Sequence, residues 1–325
     1  MSKLLFSLSI ILFGLFLGYF IRILHERGRI TLPMDIAELR KLLQKIGLLV
    51  FMAGSFFLAV WVLKIPDMRL AAMPVLGVGA LLIGGALALA VSKMMGHSRH
   101  KTGAMFGCGS FTNLGAIGAL VCYVFLGEEA FALTAVYRLF EETYYYSTGF
   151  PIAKYFSPEA EVTESLGGRL KKVFTDPFVV TILSALFLGA LLNITGVPRP
   201  EFCSTLTAIM VPVGTLILLC SIGLAMRFGA FTNYLGEAGA IVLIKFLCVP
   251  LIITGAAWLL GYGEIEGGLP LKTVLILSSM PVAFNALVPP SLYDLDLELA
   301  NSCWLVTTLG LVIVLPVLYF AINSF

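Results

Sequence analysis

The sequence predicts an all-α membrane protein of about ten transmembrane helices. Three observations carry that prediction. Apolar runs of about 20 residues recur from end to end, each long enough to cross a hydrocarbon core of about 30 Å. Charged residues make up only 12% of the 325, about half the share of a soluble domain. The hydrophobic share is 59% and the mean hydropathy +0.99, so no large soluble domain is expected. A formal net charge of +2 is too small to argue for nucleic acid. The lipid bilayer is the expected partner.

Charges, prolines and glycines punctuate the runs into spans at roughly 4–24, 44–64, 72–94, 103–126, 130–150, 177–195, 204–226, 237–261, 271–293 and 299–323. The first follows Lys3 and is longer than the apolar core of a signal peptide. No small-residue cleavage site follows it, so it reads as a span. Gly14 and Gly18 in "FGLFLGYF" give it a small-xxx-small face suited to close helix packing. The longest polar connection, "SPEAEVTESLGGRLKKVFTDP" at 157–177, falls near the middle. The expected organisation is a five-span repeat over 1–156, a cytoplasmic linker at 157–176 and a second five-span repeat over 177–325.

Lys and Arg should gather on the cytoplasmic side. Arg22, Arg27, Arg29, Arg40, Lys41 and Lys45 flank the first connection. Lys93, Arg99 and Lys101 flank the third, Lys154, Arg169, Lys171 and Lys172 the fifth, and Arg227 the seventh. The other side has Lys3, Lys64, Arg69, Arg199 and Lys272. Odd connections are therefore expected inside and both termini outside. Five spans per half is an odd number, so the second half enters the membrane inverted. The six cysteines are scattered without CxxC or Cys/His spacing, and the three histidines, His25, His97 and His100, sit in or beside loops. Neither a disulfide framework nor a metal site is expected.

Two spans look broken at matching places. The fourth, "GAMFGCGSFTNLGAIGALVCYVFLGEEA", is interrupted by Gly107, Gly109, Ser110, Thr112 and Asn113 and followed by Glu128 and Glu129. The ninth opens "SSMPVAFNALVPP" with Ser278, Ser279, Pro281 and Asn285, and is followed by Asp294, Asp296 and Glu298. Thr112 to Glu129 is 17 residues, and Pro281 to Glu298 is also 17. Proline removes a backbone donor, and glycine and small polar residues weaken a helix. Unpaired backbone survives at membrane depth only when buried in protein or lining a wet cavity. Two breaks meeting near mid-membrane would aim half-helix ends at one point, whose free N–H groups suit an anion. Inverted repeats with interrupted helices are a transporter signature. The expected substrate site is therefore Ser110, Thr112, Asn113, Ser279, Pro281 and Asn285.

The fifth span adds charge. Arg138, Glu141 and Glu142 lie about 12 to 18 Å along it at 1.5 Å per residue, where an unpaired charge costs roughly 3 kcal/mol. The i,i+3 and i,i+4 spacing lets Arg138 share a helix face with both acids. One acid is left over, to carry a proton or sodium ion or to pair with Lys245 in "AIVLIKFLCVP" of the eighth span. The alternatives are an ion-pair cluster that only locks helices together, and a Lys245 that snorkels to the interface. Tyr144, Tyr145 and Tyr146 close the fifth span and are expected in an interfacial belt.

These stretches resemble a known family. "FGLFLGYFIRIL", "GSFTNLGAIG", "VPVGTLILLCSIGLAM" with "IVLIKFLCVPLI", and "SSMPVAFNALVPPSLYDLDLELAN" are similar in order and spacing to auxin efflux carrier permeases, within the bile-acid/sodium-symporter superfamily. The resemblance covers nearly the whole chain. It implies two inverted five-helix repeats in which helices 4 and 9 unwind and cross, with Asn113 and Pro281 at the crossing. It also implies a scaffold of helices 1, 2, 6 and 7, often dimeric, and a moving transport domain of helices 3–5 and 8–10. Family members carry organic anions such as malate, malonate or auxin. This chain lacks the long central loop of the plant carriers, and its first break has no proline, so the plant substrate is not carried over.

The expected function is secondary active transport of a small organic anion across a bacterial inner membrane, with sodium or a proton as coupling ion and no other cofactor, by a homodimer joined through the scaffold helices. The alternative is a cation/proton exchanger using the acids of the fifth span. An enzyme or sensor is disfavoured: no HExxH, GxSxG or facing aspartate pair is present, nor a soluble output domain.

Overall fold

The computed structural model describes residues 2–64, 67–157, 175–226 and 231–324. Its helices are α1 (Ser2–Glu26), α2 (Ile36–Val60), α3 (Met68–Met94), α4 (Arg99–Ser110), α5 (Leu114–Leu126), α6 (Glu128–Tyr137) and α7 (141–155). They continue with α8 (Pro177–Ile194), α9 (Phe202–Gly223), α10 (Thr232–Leu259), α11 (Leu269–Ser278), α12 (284–292) and α13 (Leu297–Asn323). Among the described residues seven helices are long and apolar enough to cross a membrane. The other three predicted spans are each split in two: α4 with α5, α6 with α7, and α11 with α12. The protein is thus an all-helical, multi-span membrane protein, with the fourth and ninth spans broken where Gly, Thr, Asn and Pro predict. The break in the fifth, at 138–140, departs from the continuous span expected at 130–150. The linker expected at 157–176 lies outside the described residues from 158 to 174, together with Arg169, Lys171, Lys172 and Arg227.

The chain folds into two compact units. The first comprises Met1–Ile65, Gly115–Ala135 and Asp176–Arg227. Helices in lipid gain little from the hydrophobic effect and associate through close packing, and glycines provide it here. A Cβ on Gly18 would overlap the Cys220 carbonyl of α9, and one on Gly223 would overlap the Leu15 carbonyl of α1. The small-xxx-small face of α1 is therefore a packing face, as its spacing predicts. Asn193 caps the end of α2, donating to the carbonyls of Trp61 at 2.8 Å and Leu63 at 3.0 Å. Arg199 grips the Glu128 carboxylate with both terminal nitrogens, at 2.5 and 2.9 Å. That bond holds the guanidinium above its ordinary pKa. Glu128 opens α6, where a carboxylate also complements the helix dipole.

The second unit comprises Pro66–Leu114, Val136–Thr175 and Phe228–Phe325. Its α3 packs backbone to backbone against α4. A Cβ on Gly84 would meet the Gly109 carbonyl, and one on Gly109 would meet that of Gly84. Gly77 packs equally close on the Tyr137 carbonyl. The backbone of α4 is thereby fixed one residue before its helix ends. Asp296 caps α13 by accepting from the Leu299 N–H at 2.9 Å. Glu128 and Asp296, which trail the two broken spans, are thus helix-opening residues.

Candidate functional site

The site grows from two helices that stop in the second unit. Helix α4 ends at Ser110, and Phe111 turns extended at φ −79 and ψ 127. Helix α11 ends at Ser278, Ser279 turns at φ −94 and ψ 15, and Ala283 is extended at φ −70 and ψ 149. Pro281 cannot donate to a helix ladder and biases Met280 away from helix. The extended pieces meet as an antiparallel bridge between Thr112 and Val282. The Asn113 N–H donates to the Pro281 carbonyl at 2.9 Å, and the Ala283 N–H to the Phe111 carbonyl at 3.0 Å. The two broken spans therefore cross, at the positions that the matched 17-residue spacings bring into correspondence.

Buried backbone groups must find partners, and those at the crossing do so partly through side chains. The Val282 N–H donates to Thr307 Oγ1 of α13 at 3.2 Å. The Thr112 carbonyl accepts from the Leu114 N–H at 2.9 Å and from Tyr145 Oη at 3.4 Å. Ser110 Oγ donates to the Leu81 carbonyl at 3.0 Å and shares a 2.8 Å hydrogen bond with Tyr144 Oη. Lys245 Nζ donates to Thr112 Oγ1 at 2.7 Å and to the Ser110 carbonyl at 3.3 Å. Lys245 is 1% exposed and sits on a π turn, Ile244–Cys248, a distortion often found at functional positions. It does not snorkel, and among the described residues its acceptors are these two oxygens and no acid.

Arg138, Glu141 and Glu142 gather at the break of the fifth span. Arg138 Nε donates to Glu141 Oε2 at 2.6 Å, and Arg138 Nη2 lies 3.8 Å from Glu142 Oε1. Glu141 Oε1 also accepts from Tyr145 Oη at 2.8 Å. One tyrosine hydroxyl thus links the charged cluster to the Thr112 carbonyl. Both acids lie in the first turn of α7, where the helix dipole favours them.

Of the expected substrate residues, Ser110, Thr112, Asn113, Ser279 and Pro281 are buried at the crossing, and Asn285 is exposed on the turn beyond it. The Ser279 hydroxyl turns back to the Leu275 carbonyl at 2.7 Å. The tyrosines differ from expectation. Tyr144 and Tyr145 are 4% and 1% exposed, so they are not an interfacial belt. The signal was present in the sequence: Tyr145 lies four residues after Glu141, on the same helix face. Thr307 carries no such signal in its local sequence. Trp304 Nε1 and Thr308 Oγ1, on α13 beside it, are buried without a hydrogen-bond partner among the described residues. Buried polar groups normally have one.

A multi-pass membrane protein whose two broken spans cross within one compact unit is the class that fold and site define. The profile of the membrane transport protein family matches residues 63–319. The chain belongs to that family, the auxin efflux carriers, and is a membrane transporter. It is also similar to an uncharacterized transporter from Methanothermobacter thermautotrophicus, with 23% identity over 236 residues, 72% of either chain. The matched region begins after α2 and includes every residue of the crossing.

Proposed function

We propose that the protein is a secondary active transporter of small organic anions that works by alternating access, with the crossing as its substrate site. The observation that carries this reading is the Thr112–Val282 pairing, where both spans surrender their helices inside protein. The N-terminal end of α12 begins at the crossing and suits a carboxylate. The buried Trp304 Nε1 and Thr308 Oγ1 supply further polar contacts. A proton or sodium ion provides the coupling. The reading places the chain in a bacterial inner membrane with both termini outside. It also assembles a homodimer through helices of the first unit, where α8 leaves Phe187, Leu188 and Ile194 exposed.

Purified protein in liposomes tests this. Malate, malonate, indole-acetate and bile acids are offered with and without a proton or sodium gradient. Uptake of at least one of them, lost on Asn113→Leu in protein that still folds, is the expected result. Sodium-for-proton exchange with no anion flux would replace this reading with the exchanger based on Glu141 and Glu142.

A further inference from the structure

We propose that the Lys245 ammonium is a built-in substitute for a coupling cation, occupying the position at the crossing that a free sodium ion would take. The proposal rests on the transport reading for its effect on flux, though not for its effect on cation binding. The end of a helix leaves carbonyls without intrahelical partners and carries partial negative charge. In transporters built from inverted repeats, such half-helix ends and unwound carbonyls coordinate sodium. Here the end of α4 presents the Ser110 carbonyl and, two residues on, the Thr112 hydroxyl. One cation touches both, and it is covalently attached: Lys245 Nζ, at 3.3 and 2.7 Å.

The chemistry matches. A primary ammonium is a compact point charge with three donors, close in role to a monovalent metal ion. Lys245 is 1% exposed, and a buried charge is tolerated only when hydrogen-bonded or paired. Its acceptors are a carbonyl and a hydroxyl, oxygen atoms of the kind that also ligate hard cations. The π turn Ile244–Cys248 carries the lysine, and α10 packs beside α3 near Gly84, where Val249 approaches. The ammonium is therefore supplied from a neighbouring helix and cannot leave with the substrate. Of the two coupling ions open to this transporter, sodium has no work left at this position.

Two measurements on the full-length protein test this. In detergent, thermal unfolding is followed in sodium chloride, ethylammonium chloride and choline chloride. The native protein is expected to melt at the same temperature in all three. Lys245→Ala is expected to melt lower in choline and to regain stability saturably with sodium or ethylammonium. In liposomes, native anion flux is expected to be equal with and without sodium. Flux through Lys245→Ala should fall about tenfold or more, as for a lost charge-assisted hydrogen bond, and recover partly with ethylammonium. Saturable sodium stabilisation of the native protein would overturn the proposal, and so would a folded Lys245→Ala indifferent to both small cations. If Lys245→Ala cannot be purified, Lys245→Arg takes its place: sodium-indifferent melting supports the proposal and sodium-dependent melting overturns it. If the native protein moves no anion, the transport reading fails while the melting curves still decide the cation question.

Discussion

The two arms of the crossing share a backbone path and differ in what holds it open. The first arm is surrounded by side chains from other helices. Ser110 and Thr112 engage Tyr144, Tyr145, Lys245 and the Leu81 carbonyl. The second arm meets one among the described residues, Thr307, while the hydroxyls of Ser278 and Ser279 fold back onto the Leu275 carbonyl. The difference follows from proline. Pro281 breaks its helix covalently, since it has no N–H to give. The first arm has only residues that a helix can accept at modest cost, so its break is maintained by tertiary contacts. Two similar breaks can therefore be encoded differently, one locally and the other globally.

The comparison can be broken by substitutions on the two arms, read as thermal unfolding in detergent. The largest effect is expected for Gly109→Val on the first arm. Its Cβ would drive into the Gly84 carbonyl, and backbone there cannot yield as a flexible side chain would, so a loss of about 3 kcal/mol is expected. Next is Tyr145→Phe, which removes the donor shared by Glu141 and the Thr112 carbonyl and should cost about 2 kcal/mol. Pro281→Ala on the second arm should cost about 1 kcal/mol, mostly by loosening the unfolded chain. Ser279→Ala, losing only a bond within its own helix, should cost less than about 1 kcal/mol. If Pro281→Ala costs more than Tyr145→Phe, the contrast between the arms is wrong. Trp304→Phe sharpens the functional side: it removes a donor that has no partner among the described residues and shrinks a fully buried side chain, which should cost about 1 to 2 kcal/mol, yet protein that still folds should carry less anion if that donor meets substrate.

Legibility in the sequence varied with the range of the interaction. The Arg138, Glu141 and Glu142 cluster could be read from i,i+3 and i,i+4 spacing, because those contacts lie within a few residues. The break that the cluster occupies could not. "AVYRLFEETYYY" contains neither Gly nor Pro, and its helix stops at Tyr137, whose carbonyl packs on Gly77 of α3. The role of Lys245 was open for the same reason. A lysine in an apolar run can snorkel, pair or donate, and only the fold shows that its partner is 133 residues away, at Thr112.

By itself the sequence determined that the chain is a multi-span membrane protein and where its fourth and ninth apolar runs break. Each of these depends on local composition measured against a fixed bilayer thickness. Tertiary structure alone decided which side chains satisfy the freed backbone, where the fifth span breaks, and that Lys245 reaches Ser110 and Thr112. Those outcomes depend on surfaces brought together from distant parts of the chain, among local alternatives of nearly equal energy.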